Sequence, residues 1–176
     1  MKNFELKLIS ELMKDSRRSD RQLAKIIGVS QPTVTRLRNK LEKEGIIKEY
    51  TMIPDFRTLG FEIMAVTFVK FKTTLTPENI DKVTKGGLEL EKKSPTSTII
   101  ILRGSGLGYD GMFISFHESY ASFTKLVELT RQLPFVDITH VDSFLTSLPE
   151  EHQYRHLTLS NMARYLLEPK ETICRR

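Results

Sequence analysis

The spacing of apolar positions along the chain changes character near residue 60. Upstream of it they recur three and four apart: Phe4, Leu8, Ile9, Leu12 and Met13 predict one amphipathic helix, Leu23, Ala24, Ile26 and Ile27 a second, and Val34, Leu37 and Leu41 a third. Ser19 followed by Gln22 makes a capping box at the start of the second helix, and Gly28 can take the left-handed conformation that ends it. Ser30 can cap the third helix, Pro32 is tolerated in its first turn, and Gly45 terminates the run. Two helices joined only by Gly28-Val29-Ser30 must cross steeply, and the first helix packs across both. The β-branched and apolar stretch from Ile46 to Ile53 then predicts a wing strand, closed by the turn Pro54-Asp55.

Downstream, the run from Ile63 to Phe71 is nearly continuous in apolar residues and predicts a buried strand that opens a second domain. Pro77 opens a helix with Ile80, Val83, Gly87 and Leu90 on one face, which Gly86-Gly87 weakens by ~1 kcal/mol per glycine, enough to expect a break there. Ser97 to Arg103 reads as a strand, Met112, Ile114 and Phe116 as another, with Gly104 to Gly111 between them as a hairpin or long loop. Tyr120, Phe123, Leu126, Val127, Thr130 and Leu133 mark a helix, and Phe135 to Ser143 a last strand. Strand, helix, strand, strand, helix, strand is the split βαβ order of a ferredoxin-like domain, so the chain is α+β. Helices on one face of such a sheet leave the other face to be covered, most simply by a second copy of the chain. After Pro149 the sequence turns polar, and Leu159, Met162 and Leu166, with Thr158 or Ser160 as cap, predict a short helix stopped by Pro169. The expected units are residues 1–60, 61–148 and a C-terminal extension, 149–176.

Charge sharpens this division. Residues 1–60 hold 13 Lys and Arg against 8 Asp and Glu, and residues 61–176 hold 14 against 14, so the net charge of +5 lies in the first unit. A polyanion is the natural partner for that unit. The polar face of the third helix narrows the partner to double-stranded DNA. Opposite its leucines stand Pro32, Thr35, Arg36, Asn39 and Lys43, with Ser30, Gln31 and Thr33 at its start. Arg pairs with guanine, Asn or Gln with adenine, and the Thr methyl meets thymine. Arg17, Arg18, Arg21 and Lys25 flank the second helix, and Arg38, Lys40 and Lys48 lie near the third, as phosphate contacts that hold register without reading bases. The expected DNA-binding set is Arg17, Arg18, Ser30, Gln31, Pro32, Thr33, Thr35, Arg36, Arg38, Asn39, Lys40 and Lys43.

Other chemistries find little support. A hydrophobic content of 39% with 28% charged residues is that of an ordinary globular protein, and no apolar run approaches the roughly 20 residues that span a bilayer. Without a signal-like N-terminus, the protein is expected in the cytoplasm. Cys174 is the only cysteine, so no intrachain disulfide or thiolate metal cluster forms. Gly106 to Gly111 fits GxGxxG, yet a strand follows it, where a dinucleotide site requires a helix. His152 and His156, four apart, lack an evident third ligand, and His117 and His140 fall on strands as structural or exposed residues. No catalytic arrangement, metal site or cofactor is expected, and the protein is not read as an enzyme.

Over residues 15–60 the chain resembles the leucine-responsive regulatory protein and AsnC, or feast/famine, family of transcription regulators. The resemblance lies in Arg17-Arg18-Ser19, Gln22-Leu23-Ala24, Ile27-Gly28-Val29-Ser30, Thr33-Val34-Thr35-Arg36-Leu37, Leu41 to Ile47, Tyr50 and Leu59-Gly60. It implies a winged helix-turn-helix joined to a ferredoxin-like effector domain, and assembly into a homodimer or larger even-numbered oligomer. It also implies an amino-acid effector bound at an interface between effector domains. Gly108-Tyr109-Asp110 looks like the family's effector motif, which points to Gly104, Gly106, Gly108, Tyr109 and Asp110, whereas Gly86-Gly87 and the extension after Pro149 depart from the family pattern. The sirohaem decarboxylases share the two-part layout and use His and Arg, so His152 to His156 keep a tetrapyrrole enzyme as the alternative. A third reading is a module that forms mixed oligomers with a related regulator.

Overall fold

The computed structural model describes residues 3–72, 76–93, 97–134, 136–149 and 157–168. The chain divides into two units, Met1–Ile53 with Arg155–Arg176, and Pro54–Tyr154. The division falls before Pro54 instead of after residue 60, and the C-terminal helix groups with the N-terminal unit.

The first unit is helical. α1 (Asn3–Lys14), α2 (Asp20–Ile27) and α3 (Gln31–Lys43) close around Leu8, Leu12, Leu23, Ala24, Ile27, Val34 and Leu41. Leu8, Leu23, Val34 and Leu41 are wholly withdrawn from solvent. The local signals in the sequence act as physical chemistry requires. Ser19 Oγ accepts from the Gln22 amide at 3.3 Å while Gln22 Oε1 accepts from the Ser19 amide at 2.8 Å, so two orphan donors of α2 are satisfied reciprocally. Gly28 sits at φ 80°, where a β-carbon is disfavoured, and donates to Ala24 O. Ser30 Oγ then accepts from the Thr33 amide to start α3, with Pro32 in the first turn.

Two expectations for this unit are corrected. Ile46 to Ile53 forms no strand: the Ile46 and Ile47 amides bond to Leu41 O, closing the end of α3, and the residues beyond run irregularly. β-propensity needs a neighbouring ladder, and this stretch has none among the described residues. The short helix α6 (Ser160–Tyr165) has neither Thr158 nor Ser160 at its N-cap: Leu159 stands there without a side-chain cap bond of its own, while Thr158 Oγ1 accepts from the Ser160 amide at 3.2 Å. Pro169, its expected stop, lies outside the described residues. α6 packs on α1, where Ser10 Oγ donates to Ala163 O at 2.7 Å, both residues fully buried. The Leu167 amide bonds to Arg164 O as the helix end tightens, so Ser10 gives Ala163 O a donor from outside the helix.

In the second unit β1 (Ile63–Phe71), β2 (Thr98–Gly106), β3 (Tyr109–His117) and β4 (Val136–Ser147) form one antiparallel sheet in the order β2-β3-β1-β4. This is the split βαβ arrangement expected, with α4 (Pro77–Lys93) and α5 (Tyr120–Arg131) in the two crossovers. Val69, Phe113 and Val141 meet Leu126 of α5 in the core. His117, at the end of β3, is buried, with Nε2 2.8 Å from Ser115 Oγ and its ring edge-on to Phe123. On the opposite face Phe56 stacks on Phe116 with ring centroids 3.8 Å apart, tying residues just after Pro54 to the sheet.

Three further differences from expectation have clear causes. α4 runs unbroken through Gly86-Gly87, since a penalty of ~1 kcal/mol per glycine is small against the cooperative backbone bonding of a 17-residue helix. Gly104 and Gly106 belong to β2, leaving a two-residue turn, Leu107-Gly108, at φ 52° and 84°. Positive φ at both positions matches the twist of the flanking strands. β4 extends past the expected Ser143 to Ser147, because Phe144-Leu145-Thr146-Ser147 pair with Val66 to Ile63 of β1.

Candidate nucleic-acid interface

α3 is held from behind and open in front. Val34 and Leu41 are buried in the helical core and Leu37 partly so, which fixes the roll of the helix about its axis. That roll turns Gln31, Pro32, Thr35, Arg36 and Asn39 outward, where they line one open depression. Lys43 is exposed one turn further on. A single helix with its side chains is about 10–12 Å across, the width of the DNA major groove. The side chains of Gln31, Arg36, Asn39 and Lys43 make no hydrogen bond or ion pair among the described residues, so their donors and acceptors are free for a ligand. Arg17, Arg21 and Lys25 are likewise exposed and without a side-chain partner among the described residues.

Other residues of the expected set are engaged within the protein. Arg38 donates from Nε to Asp20 Oδ1 at 2.8 Å, from Nη1 to the Tyr50 hydroxyl at 3.2 Å and from Nη2 to Arg18 O at 3.3 Å, with its guanidinium 5.5 Å from the Tyr50 ring. Burial works against the charge on Arg38, but Tyr50 and Asp20 more than offset it and raise its pKa above that of an ordinary arginine. The Tyr50 hydroxyl in turn donates to Glu42 Oε1 at 2.7 Å. These contacts pin the irregular segment after α3 to the helix. Lys40 Nζ lies 2.6 Å from Oε1 of buried Glu5, an attachment that raises the lysine's pKa, and reaches Glu44 at 3.7 Å. Arg18 pairs with Glu11 and, at 3.8 Å, with Asp15. Ser30 and Thr33 are occupied with each other at the mouth of α3, their hydroxyl oxygens 2.9 Å apart.

The sequence offered no sign of Asp20. Its carboxylate lies at the start of α2 and bridges to α3, taking Arg38 on Oδ1 and the Thr35 hydroxyl on Oδ2 at 2.6 Å. Its only sequence signal was an acidic residue in a first helical turn, which reads equally well as a helix-dipole partner.

The residues suggested for an effector form the β2–β3 hairpin. The Tyr109 hydroxyl donates to the Asp142 carboxylate, and Asp110 Oδ2 accepts from the Phe71 amide at 3.0 Å, so the two side chains tie β3 to β4 and to β1 across the sheet. Among the described residues no group of three or more His, Cys, Asp or Glu is placed to hold a metal ion. His152 and His156 lie outside the described residues. No described helix is long and apolar enough to cross a membrane.

Comparison with known proteins agrees with this geometry. A family model described as winged helix-turn-helix DNA-binding matches residues 1–48. An uncharacterized HTH-type transcriptional regulator of Pyrococcus furiosus is 38% identical over 85 residues, 48% of this chain and 55% of that protein. The HTH-type transcriptional regulator LrpC of Bacillus subtilis is 43% identical over 63 residues, 36% of this chain and 44% of LrpC. The chain thus spans about half the length of the curated relatives it matches. The fold likeness extends further. The LrpC structure superposes with a TM-score of 0.63 at 23% identity, covering 88% of this chain and 99% of LrpC. A Neisseria meningitidis regulator solved as a complex with L-Met superposes with a TM-score of 0.67 at 15% identity, covering 92% and 99%. In sequence the first unit is similar to winged helix-turn-helix DNA-binding domains and to these HTH-type regulators, and in fold nearly the whole chain is similar to LrpC and to the Neisseria regulator.

Proposed function

We propose that the protein is a sequence-specific, double-stranded-DNA-binding transcription regulator of the cytoplasm, and not an enzyme. The observation that carries this reading is the outward face of α3. Free Gln31, Arg36 and Asn39 surround Thr35 on a helix whose leucines fix its orientation. These are the residue types that bond to base edges in the major groove. The free cations Arg17, Arg21 and Lys25 serve as phosphate contacts, which position the helix and make affinity fall with salt. Arg18, Arg38 and Lys40 stiffen the frame that presents it. Relatives named as transcriptional regulators support this reading over the tetrapyrrole enzyme.

The working form is a homodimer or larger even-numbered oligomer. Its support is the sheet face carrying Ile100, Leu102 and Phe144, all exposed in the single chain although apolar. An amino acid acts as effector on the second unit near Gly104 to Asp110, a reading supported by resemblance and by the L-Met complex of the Neisseria relative. To act, it must bind one assembly state better than another.

Selection of bound duplexes from random DNA tests the central reading. The expected product is a roughly palindromic site with half-sites about 10 base pairs apart, one helical turn of DNA. Failure to retain any duplex in about 50 mM salt overturns it, since electrostatic binding is strongest there.

A further inference from the structure

We propose that Asp20 makes Thr35 a reader of thymine, by drawing the threonine hydroxyl inward and leaving the Cγ2 methyl to meet the thymine C5-methyl in the major groove. The proposal rests on the DNA-binding function above and assigns base chemistry to one position of its interface. Thr35 Oγ1 lies 2.6 Å from Asp20 Oδ2 and 3.2 Å from Gln31 O. Both neighbours are pure acceptors, and a hydroxyl has one hydrogen to give, so that hydrogen is committed within the protein. Two fixed partners also hold the side chain in one rotamer. Thr35 is nonetheless exposed, in the same depression as Gln31, Pro32, Arg36 and Asn39. With its hydrogen committed, the Thr35 hydroxyl has nothing left to donate and can only accept, whereas the methyl makes none of these bonds, and thymine alone among the bases offers a methyl in the major groove.

Asp20 is a positioning residue in this scheme. It is itself held by Arg38, whose Nε donates to Oδ1 at 2.8 Å. The arginine also neutralises the carboxylate, so a negative charge beside the interface adds no net repulsion toward phosphates. The Asp20, Thr35 and Arg38 triangle thereby joins the start of α2 to the middle of α3, and the pairing that fixes the helix crossing also chooses which face of the threonine is shown.

The test uses the full-length protein and the duplex it selects. Each thymine of that site is replaced in turn by deoxyuridine, which lacks only the C5-methyl. At one position per half-site the wild type should bind the uridine duplex about fourfold more weakly, the value of one buried methyl-sized group. Thr35→Ser keeps the hydroxyl and its bond to Asp20 but lacks the methyl, and should bind both duplexes equally. Thr35→Val keeps a methyl and should still discriminate. Asp20→Ala should lessen the ratio, while Asp20→Asn, whose amide oxygen can accept from Thr35, should restore it. A purely structural role for Asp20 would change affinity for both duplexes alike, and that result overturns its positioning role. A Thr35→Ser variant that keeps the wild-type ratio overturns the proposal, as does a wild type indifferent to every thymine. Binding with no preferred site also overturns it but leaves DNA binding intact, whereas no binding at all removes the proposed function first.

Discussion

The two units close their cores to different degrees. In the helical unit Leu8, Leu23, Val34 and Leu41 have no exposed surface, Leu12, Ala24 and Ile27 keep 5–7%, and the exposed face of α3 is polar and charged. In the sheet unit Ala65, Thr67 and Ser115 are fully buried but polar or small, the larger Val69, Phe113, Leu126 and Val141 keep a residual exposure of 7–9%, and apolar Ile99, Ile100, Ile101, Leu102 and Phe144 remain at the surface. Three short helices can bury their narrow apolar stripes on one another, whereas a four-stranded sheet has two broad faces. The first unit can therefore spend its surface on a charged ligand. The second retains apolar surface suited to another protein surface.

The sharpest way to break this contrast is to open the helical core. Leu41→Ala should cost about 2–5 kcal/mol through lost burial and the cavity left behind, read from the urea midpoint of far-UV circular dichroism. If the loss is well under 1 kcal/mol, the helical unit is not the tightly closed one. The converse test charges the open sheet face. Phe144→Asp, at a residue 66% exposed in the single chain, should leave the fold intact but weaken self-association at least tenfold, about 1.4 kcal/mol, by light scattering across a concentration series. An unchanged mass would show that this face is not where copies meet.

Acidification should separate the units as well. Burial pushes the His117 pKa below the ordinary 6.5 of histidine, outweighing the opposing pull of Glu118. Above pH 6.5 the ring is neutral in folded and unfolded chains and has no effect. Below it the unfolded chain takes up the proton first, so the stability of the sheet unit should fall until the folded-state pKa is reached. His117→Gln should flatten that dependence in thermal melts between pH 7 and 5, and an equal slope in both proteins would refute the assignment. The smallest effect is expected in α4. A β-carbon on Gly87 would meet nothing within 4 Å, so Gly87→Ala should stabilise the sheet unit by about 0.5–1 kcal/mol, visible as a raised melting temperature.

Much of the architecture was legible because short-range sterics write it. The Ser19-Gln22 capping box, left-handed Gly28, and Ser30 with Pro32 set helix ends to within a residue or so, and apolar strand segments interleaved with helical spacing gave the βαββαβ order. The outward set on α3 followed from helical periodicity alone. Where the reading slipped, a distant partner decided. Ile46 to Ile53 has strand composition but no strand beside it among the described residues, while β4 ran on past Ser143 because β1 was there to pair with it. What local patterning did not show for Arg38 and Lys40 is that Asp20, 18 positions away, and Glu5, 35 positions away, hold them.

The sequence by itself determined the ends of α2 and the start of α3, which stripe of α3 faces the core, and that the positive charge is concentrated in the first 60 residues. These depend on backbone conformation and on side-chain periodicity over a few neighbouring positions. Only the tertiary structure decided which cations stay free, that Asp20 governs Thr35, and that Ser10 supplies a donor to Ala163 O 153 positions away. A hydrogen bond or ion pair depends on atoms meeting within about 3 Å, and for residues far apart in the chain only the packed fold sets that distance.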